Sequence, residues 1–162
     1  MTISRFLASH RFNFTRFEHR ATQTCAEFEA LVPALPGTRN KNLFLRDKKG
    51  LRHVLVIVPP KLVIDLDKLS ALLGMRRLGF ASTDRLRQHL GVESGSVSVL
   101  SLIHDLSNSV ELVIDQTIWN AEAIQAHPLI NTETVVIPQP ELKRFLATTG
   151  HLPTVLDIPG VQ

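Results

Sequence analysis

Cysteine is nearly absent from this chain: Cys25 is the single one in 162 residues. One thiol rules out an internal disulfide framework and a cysteine-based zinc site, and it fits a reducing cytoplasm. Long apolar runs are missing too. The longest, Val54 to Val58, stops at two prolines, far short of the ~20 residues that a membrane-spanning helix needs. The N-terminal stretch carries Arg5, His10 and Arg11 with no clean apolar segment, so a signal peptide is not expected. No repeat, low-complexity tract or Gly/Ser linker divides the chain, and one domain over residues 1–162 is the expectation.

The familiar reaction signatures are also missing. There is no Walker phosphate loop and no G-x-G-x-x-G, so nucleotide binding of those kinds is excluded. Gly95-Ser96-Val97-Ser98 lacks the closing glycine of a nucleophile elbow. The seven histidines form no H-E-x-x-H and no i,i+4 pair on a helix, which gives zinc little support. Cys25 falls within a helical pattern, where a small packed thiol and a reactive one are both compatible with the sequence.

What is present is an ordinary globular composition, 44% hydrophobic and 20% charged, neither disordered nor fibrous. A chain of this length buries about two-thirds of its unfolded surface. Net charge is only +3 but uneven. Arg39, Lys41, Arg46, Lys48, Lys49 and Arg52 face one acid, Asp47, and the first twenty residues add Arg5, Arg11, Arg16 and Arg20 against Glu18. Such patches concentrate polyanions, RNA foremost. They also serve as solvated faces, and charge alone does not separate the two.

Periodicity predicts helices over Ile3 to Ser9, Thr24 to Leu31, Asp67 to Leu73, Ser82 to Leu90 and Gln139 to Thr148. Gly74 and Gly91 stand where C-terminal caps belong, and Ser82 or Thr83 is placed to cap the fourth helix. Strands are predicted at Asn13 to Phe17, Leu43 to Arg46, Val54 to Val58, Arg77 to Phe80, Val97 to Ile103, Val110 to Ile114, Thr134 to Ile137 and Thr154 to Asp157. Val54 to Val58 is apolar throughout and reads as a central strand covered on both faces. Val110 to Asp115 is less uniform and reads as a strand near the surface. Strands occur in pairs as well as alternating with helices, so the expected class is α+β, a mixed curved β-sheet with flanking helices.

The segment Asn40-Lys41-Asn42-Leu43-Phe44-Leu45-Arg46-Asp47-Lys48-Lys49-Gly50 presents a cation and an amide at the start of a buried hairpin, suited to gripping a phosphate or a carbonyl. With the preceding Gly37-Thr38-Arg39 it is the first of an ordered set. Leu73-Gly74 with Arg77-Leu78-Gly79-Phe80 follows, then Leu90-Gly91-Val92-Glu93-Ser94-Gly95-Ser96-Val97-Ser98. His127-Pro128-Leu129-Ile130-Asn131-Thr132 and Phe145 to His151 complete it. Together these resemble the YbaK / prolyl-tRNA-synthetase-associated domain family, most of all its freestanding prolyl-tRNA editing branch, over residues 20 to 157.

That resemblance implies the YbaK-like fold and a trans-editing aminoacyl-tRNA deacylase that needs no metal and no cofactor. Lys41 would anchor the terminal adenosine phosphate or the ester, and Asn42 would help place the ester. Thr38 and the loop Gly95, Ser96 and Ser98 would wall the pocket, while His127 and Asn131 would line the amino-acid end. Arg39, Arg46, Lys48 and Lys49 would contact RNA. The implied partners are mischarged aminoacyl-tRNA, with prolyl-tRNA synthetase or an elongation factor beyond it, in the cytoplasm. Alanyl-tRNA for proline is the first substrate it suggests. Serine, threonine, cysteine or a non-protein amino acid are the alternatives.

The sequence departs from the family pattern at Val99 and Leu100, where proline and an aromatic are usual, and at His104-Asp105, in place of Asn-Asp. These changes are expected near the pocket wall. They are the best argument for a rival reading, a non-hydrolytic module that binds aminoacyl-tRNA or a synthetase, while for a third, a regulatory binder of a small molecule, only the modest net charge speaks.

Overall fold

The structure is a computed structural model that describes residues 2–21, 35–130 and 132–162. The helix expected over Thr24 to Leu31, with Cys25, and the site residue Asn131 lie outside the described residues. Helix α1 (Ile3–Ser9) starts at Thr2, whose hydroxyl accepts from the Arg5 amide. Strands β1 (Thr15–Glu18), β2 (Lys41–Arg46) and β3 (His53–Val58) follow, then helix α2 (Leu66–Leu73), strand β4 (Gly79–Phe80) and helix α3 (Thr83–Leu90). A 3-10 helix (Val99–His104) precedes β5 (Val110–Asp115), α4 (Gln116–Trp119), β6 (Ala123–Ala126), β7 (Glu133–Pro138), α5 (Gln139–Thr149) and β8 (Pro153–Leu156).

The strands form a five-stranded mixed sheet, β4-β2-β3-β5-β8, and a three-stranded antiparallel sheet, β1-β7-β6. In the first, β2 pairs antiparallel with β3 and β4, while β5 runs parallel to β3 and β8. All six β3 residues are buried, and the five apolar ones alternate between two cores. Leu55 and Ile57 pack with Phe44, Leu112, Leu142 and Phe145. Val54, Val56 and Val58 pack with Leu69, Met75 and Leu78. A strand sandwiched this way must be apolar on both faces, as its sequence is. β5 is interior too, between two parallel neighbours. Its one exposed residue, Glu111, takes a two-pronged bond from Arg52 at 2.6 and 2.9 Å, which is why its pattern suggests the surface.

The helix ends follow their capping residues. Asp65 and Ser82 cap α2 and α3, accepting from the Lys68 and Arg85 amides, and Gly74 and Gly91 close them in the left-handed region at φ 63° and 65°. One expected strand does not form. The sequence predicts an extended Val97 to Ile103, yet Val99–His104 winds into a 3-10 helix whose first five residues are buried. A short apolar run cannot be assigned by periodicity alone. Here the Ser98 hydroxyl accepts from the Leu100 amide at 3.2 Å and starts the turn. Among the described residues no helix is long and apolar enough to cross a membrane.

Candidate active site

The two sheets meet where the chain enters β2. Thr38 forms a bridge with Ile124: its amide donates to the Ala123 carbonyl at 2.8 Å and its carbonyl accepts from the Gln125 amide at 3.0 Å. Beside this junction is a cavity of about 460 Å³, a size that suits a small-molecule group. Residues 39–44 of the β2 segment form one wall. Phe80, Ala81, Thr83 and Leu86 form another, Ser94, Gly95 and Val97 a third, and Gln125, Ala126, His127 and Thr134 the last.

A chain of amides holds the wall in place. Asn42 donates through Nδ2 to Asn40 Oδ1 at 3.2 Å, and Asn40 Nδ2 donates to the Gln125 carbonyl at 2.8 Å and to the Thr38 carbonyl at 3.2 Å. The buried Gln125 amide donates in turn to the carbonyls of Pro36, Leu35 and Gly37 at 3.0 to 3.3 Å. Thus the loop before β2 is pinned by a residue from β6, and Asn42 is oriented by its neighbour. Its own side-chain oxygen takes no hydrogen bond among the described residues.

The pleat sets Asn42 and Phe44 on one face of β2, that of the core containing Phe44, and Lys41 in the register of Leu43 and Leu45. Lys41 lines the cavity at the first position of the strand, and its ammonium makes no ion pair or hydrogen bond among the described residues. His127 points Nδ1 at the Glu133 carbonyl, 3.4 Å away, so that nitrogen carries the proton. Burial lowers its pKa, more than the carbonyl contact raises it, and the ring is neutral at pH 7. Thr134, 1% exposed, presents its hydroxyl 2.8 Å from His19 Nε2.

Of the residues singled out by sequence, Arg39, Lys41, Asn42, Gly95 and His127 come together on this cavity. Thr38 acts one residue outside it, through its backbone bridge. Ser96 is half-buried in the turn that follows Glu93, its amide donating to the Glu93 carbonyl at 3.1 Å. Ser98 is fully buried and spends its hydroxyl on the 3-10 helix, so it is no part of the wall. Arg46 sits at the other end of β2, about 17 Å from Lys41 at five strand steps, with Lys48 and Lys49 in the turn beyond it. There the Arg46 guanidinium donates to the Asp47 and Lys48 carbonyls. The Lys48 amide donates to the Arg76 carbonyl at 2.8 Å, which adds exposed Arg76 and Arg77 to that patch. The basic stretch of the sequence is thereby split into a cavity pair and a distal group.

The departures from the family pattern do not touch the cavity, contrary to expectation. Val99 and Leu100 are at most 1% exposed and pack in the main core, because the 3-10 helix turns them inward. His104 is exposed and the Asp105 that follows it is buried against His151, and neither lines the cavity. The residues that sequence reasoning misses are Gln125 and Thr134, which come from β6 and β7, together with Asn40, Phe80 and Thr83. Asn40 and Phe80 stand inside the family motifs. Gln125 and Thr134 carry no local signal.

The chain is similar to known proteins in sequence and in fold. The family described as "Aminoacyl-tRNA editing domain" matches residues 19–145. The chain is 34% identical over 141 residues to the prolyl-tRNA editing protein ProX of Acetoanaerobium sticklandii, covering 87% of this chain and 86% of that protein. It is 35% identical over 156 residues to prolyl-tRNA synthetase associated domain-containing protein 1 of Danio rerio, covering 95% and 84%. A solved protein proposed to be a trans-editing enzyme for prolyl tRNA synthetase superposes with a TM-score of 0.70 at 22% identity, over 98% of this chain and 97% of its own, a likeness of fold.

Proposed function

The chain belongs to the aminoacyl-tRNA editing domain family, and from that membership we propose that it is a trans-editing deacylase hydrolysing the ester of mischarged tRNA, alanyl-tRNA for proline first. The observation that carries this reading is a cavity of about 460 Å³ where Lys41 and Asn42 keep unspent hydrogen-bonding capacity on a wall fixed by other residues. An aminoacyl ester is already activated, so the site has to orient it, admit water and stabilise the oxyanion.

In the proposed reaction a water oxygen attacks the ester carbonyl carbon. The ester C–O bond then breaks, the free amino acid leaves, and the proton lost by the water goes to the ribose oxygen. The neighbouring ribose hydroxyl helps position that water. Lys41 holds the phosphate or the ester oxygen as a cation, and Asn42 offers a preset amide. His127, neutral with its proton on Nδ1, lines the amino-acid end. No metal enters this scheme.

Selection by size follows from the physics of small side chains. One methylene changes binding by only ~1–3 kcal/mol, so a synthetase pocket admits smaller relatives, and a second, smaller pocket removes them. The editing domain is taken to extend over residues 1–162, since α1 contributes Ile3 and Leu7 to the main core. Its setting is the cytoplasm, with prolyl-tRNA synthetase or an elongation factor handing over the substrate. The non-hydrolytic module rests on Val99 to His104, and those side chains lie away from the cavity.

The test is hydrolysis of a panel of mischarged tRNAs by wild type and Lys41→Ala. Release of alanine from tRNA for proline by wild type alone is the expected result. No release from any member of the panel would overturn the reading.

A further inference from the structure

Phe80 is 65% exposed. Single exposed apolar side chains are common and mean little by themselves. Leu51, Leu106 and Leu152 are more exposed still, and none of them lines the cavity. Phe80 does, on the same cavity as Arg39 and Lys41. Its ring has no aromatic partner among the described residues and belongs to neither core.

Its backbone, by contrast, is fixed. Phe80 pairs with Leu45 in the β2–β4 ladder, and the next amide, Ala81, donates to the Phe44 carbonyl at 3.0 Å. Ser82 then caps α3 immediately after. A ring with no aromatic partner among the described residues is thus mounted on a paired strand, at the edge of a cavity that also carries two cations. Aromatic faces combined with cations are how proteins hold unpaired RNA ends, because bases stack on the ring while the cations meet phosphates. The distal basic group begins beside this ring, since Gly79 pairs with Arg46 in the same β2–β4 ladder and the Lys48 amide donates to the Arg76 carbonyl.

We propose that Phe80 is the stacking platform for the unpaired terminal adenine of the tRNA, seating the 3′ nucleotide so that its ester enters the cavity beside Lys41 and Asn42. The proposal rests on the deacylase reading and deepens it. Phe80 is a binding residue in this scheme and takes no part in the bond-making steps.

The experiment measures binding of uncharged acceptor-stem RNA hairpins, ending either in CCA or in CC followed by an abasic nucleotide, to wild type, Phe80→Leu and Phe80→Trp. An exposed position tolerates all three side chains. Phe80→Leu is expected to weaken binding of the CCA end about tenfold or more, and Phe80→Trp to retain it. The abasic end should bind wild type and Phe80→Leu alike. Equal binding of the CCA end by wild type and Phe80→Leu would overturn the proposal, as would an equal loss for both RNAs. Because uncharged RNA is used, failure of wild type to hydrolyse any ester would sink the deacylase reading without changing this result.

Discussion

Two polar clusters in this protein have the look of catalytic groups. One is Asp105 with His151, 2.8 Å apart and both 2% exposed. The other is Lys41 with Asn42 on the cavity wall. They differ in what their atoms have left to offer. Asp105 accepts from the Ser109 amide and hydroxyl, the Val110 amide and His151. His151 turns its other nitrogen to Thr149 at 2.9 Å. Burial pushes the Asp105 carboxyl up, but these bonds together outweigh it and hold the pKa below the usual range. That cluster is saturated and ties the end of α5 to the start of β5. Lys41 and the Asn42 oxygen are bonded to nothing among the described residues. Hydrogen-bond capacity left over, more than residue type, separates a working group from a structural one here.

The contrast can be broken at its structural pole first. Asp105→Ala leaves His151 buried without its partner and should destabilise the fold by about 3–5 kcal/mol. Urea denaturation reads this, and deacylation per folded molecule should stay within about twofold of wild type. A variant that stays stable but loses activity would reverse the assignment. At the other pole, Lys41→Ala should lower kcat/KM by about 100-fold, the size seen when one oxyanion-stabilising donor is removed. Its stability should change by less than about 0.5 kcal/mol.

Gln125→Leu probes the border between the two, because that amide is buried yet serves the cavity by pinning Pro36 and Gly37. It should cost about 1–3 kcal/mol of stability through the orphaned carbonyls. Activity should fall as well, by less than in Lys41→Ala. Lys48→Ala with Lys49→Ala should leave kcat unchanged and raise KM for tRNA. The salt dependence of binding should lessen too, by about one unit of slope for each phosphate no longer neutralised. An unchanged slope would place the RNA elsewhere.

A pH-dependent effect concerns His53. Arg85 Nη1 lies 2.9 Å from its Nε2, and an arginine can only donate, so the ring is neutral with its proton on Nδ1. Burial, then the neighbouring His89 and Arg85, lowers its pKa from 6.5 to about 4. Between those values the unfolded chain binds more protons than the native one. The stability that neutral His53 contributes is therefore full above pH 6.5 and is lost as the pH falls towards 4. Burial also lowers His104 and His127, so the check is a difference. The melting temperature of His53→Gln should fall less steeply than that of wild type across this window.

Much of the fold is legible in the sequence because its signals are local. Ser82 and Gly91 bracket α3, and the uninterrupted apolar run of β3 demands two covered faces. The 3-10 helix is not legible, because its apolar run fits strand and helix equally and the deciding bond comes from the Ser98 side chain. β6 escapes because Ala123–Ala126 offers little apolar pattern; it is a strand through pairing with β7 and the bridge to Thr38. For the site, the motif around Lys41 is visible, whereas its supports are not.

The sequence by itself determined the capped helices, the buried central strand and the family, since each is written in neighbouring residues or in an ordered set of motifs. Only the tertiary structure decided which polar groups are spent. Asn40 is satisfied by a carbonyl 85 residues away and Asp105 by a histidine 46 residues away. A hydrogen bond forms between atoms that meet in space, and nothing in a residue's own neighbourhood along the chain reveals whether that meeting takes place.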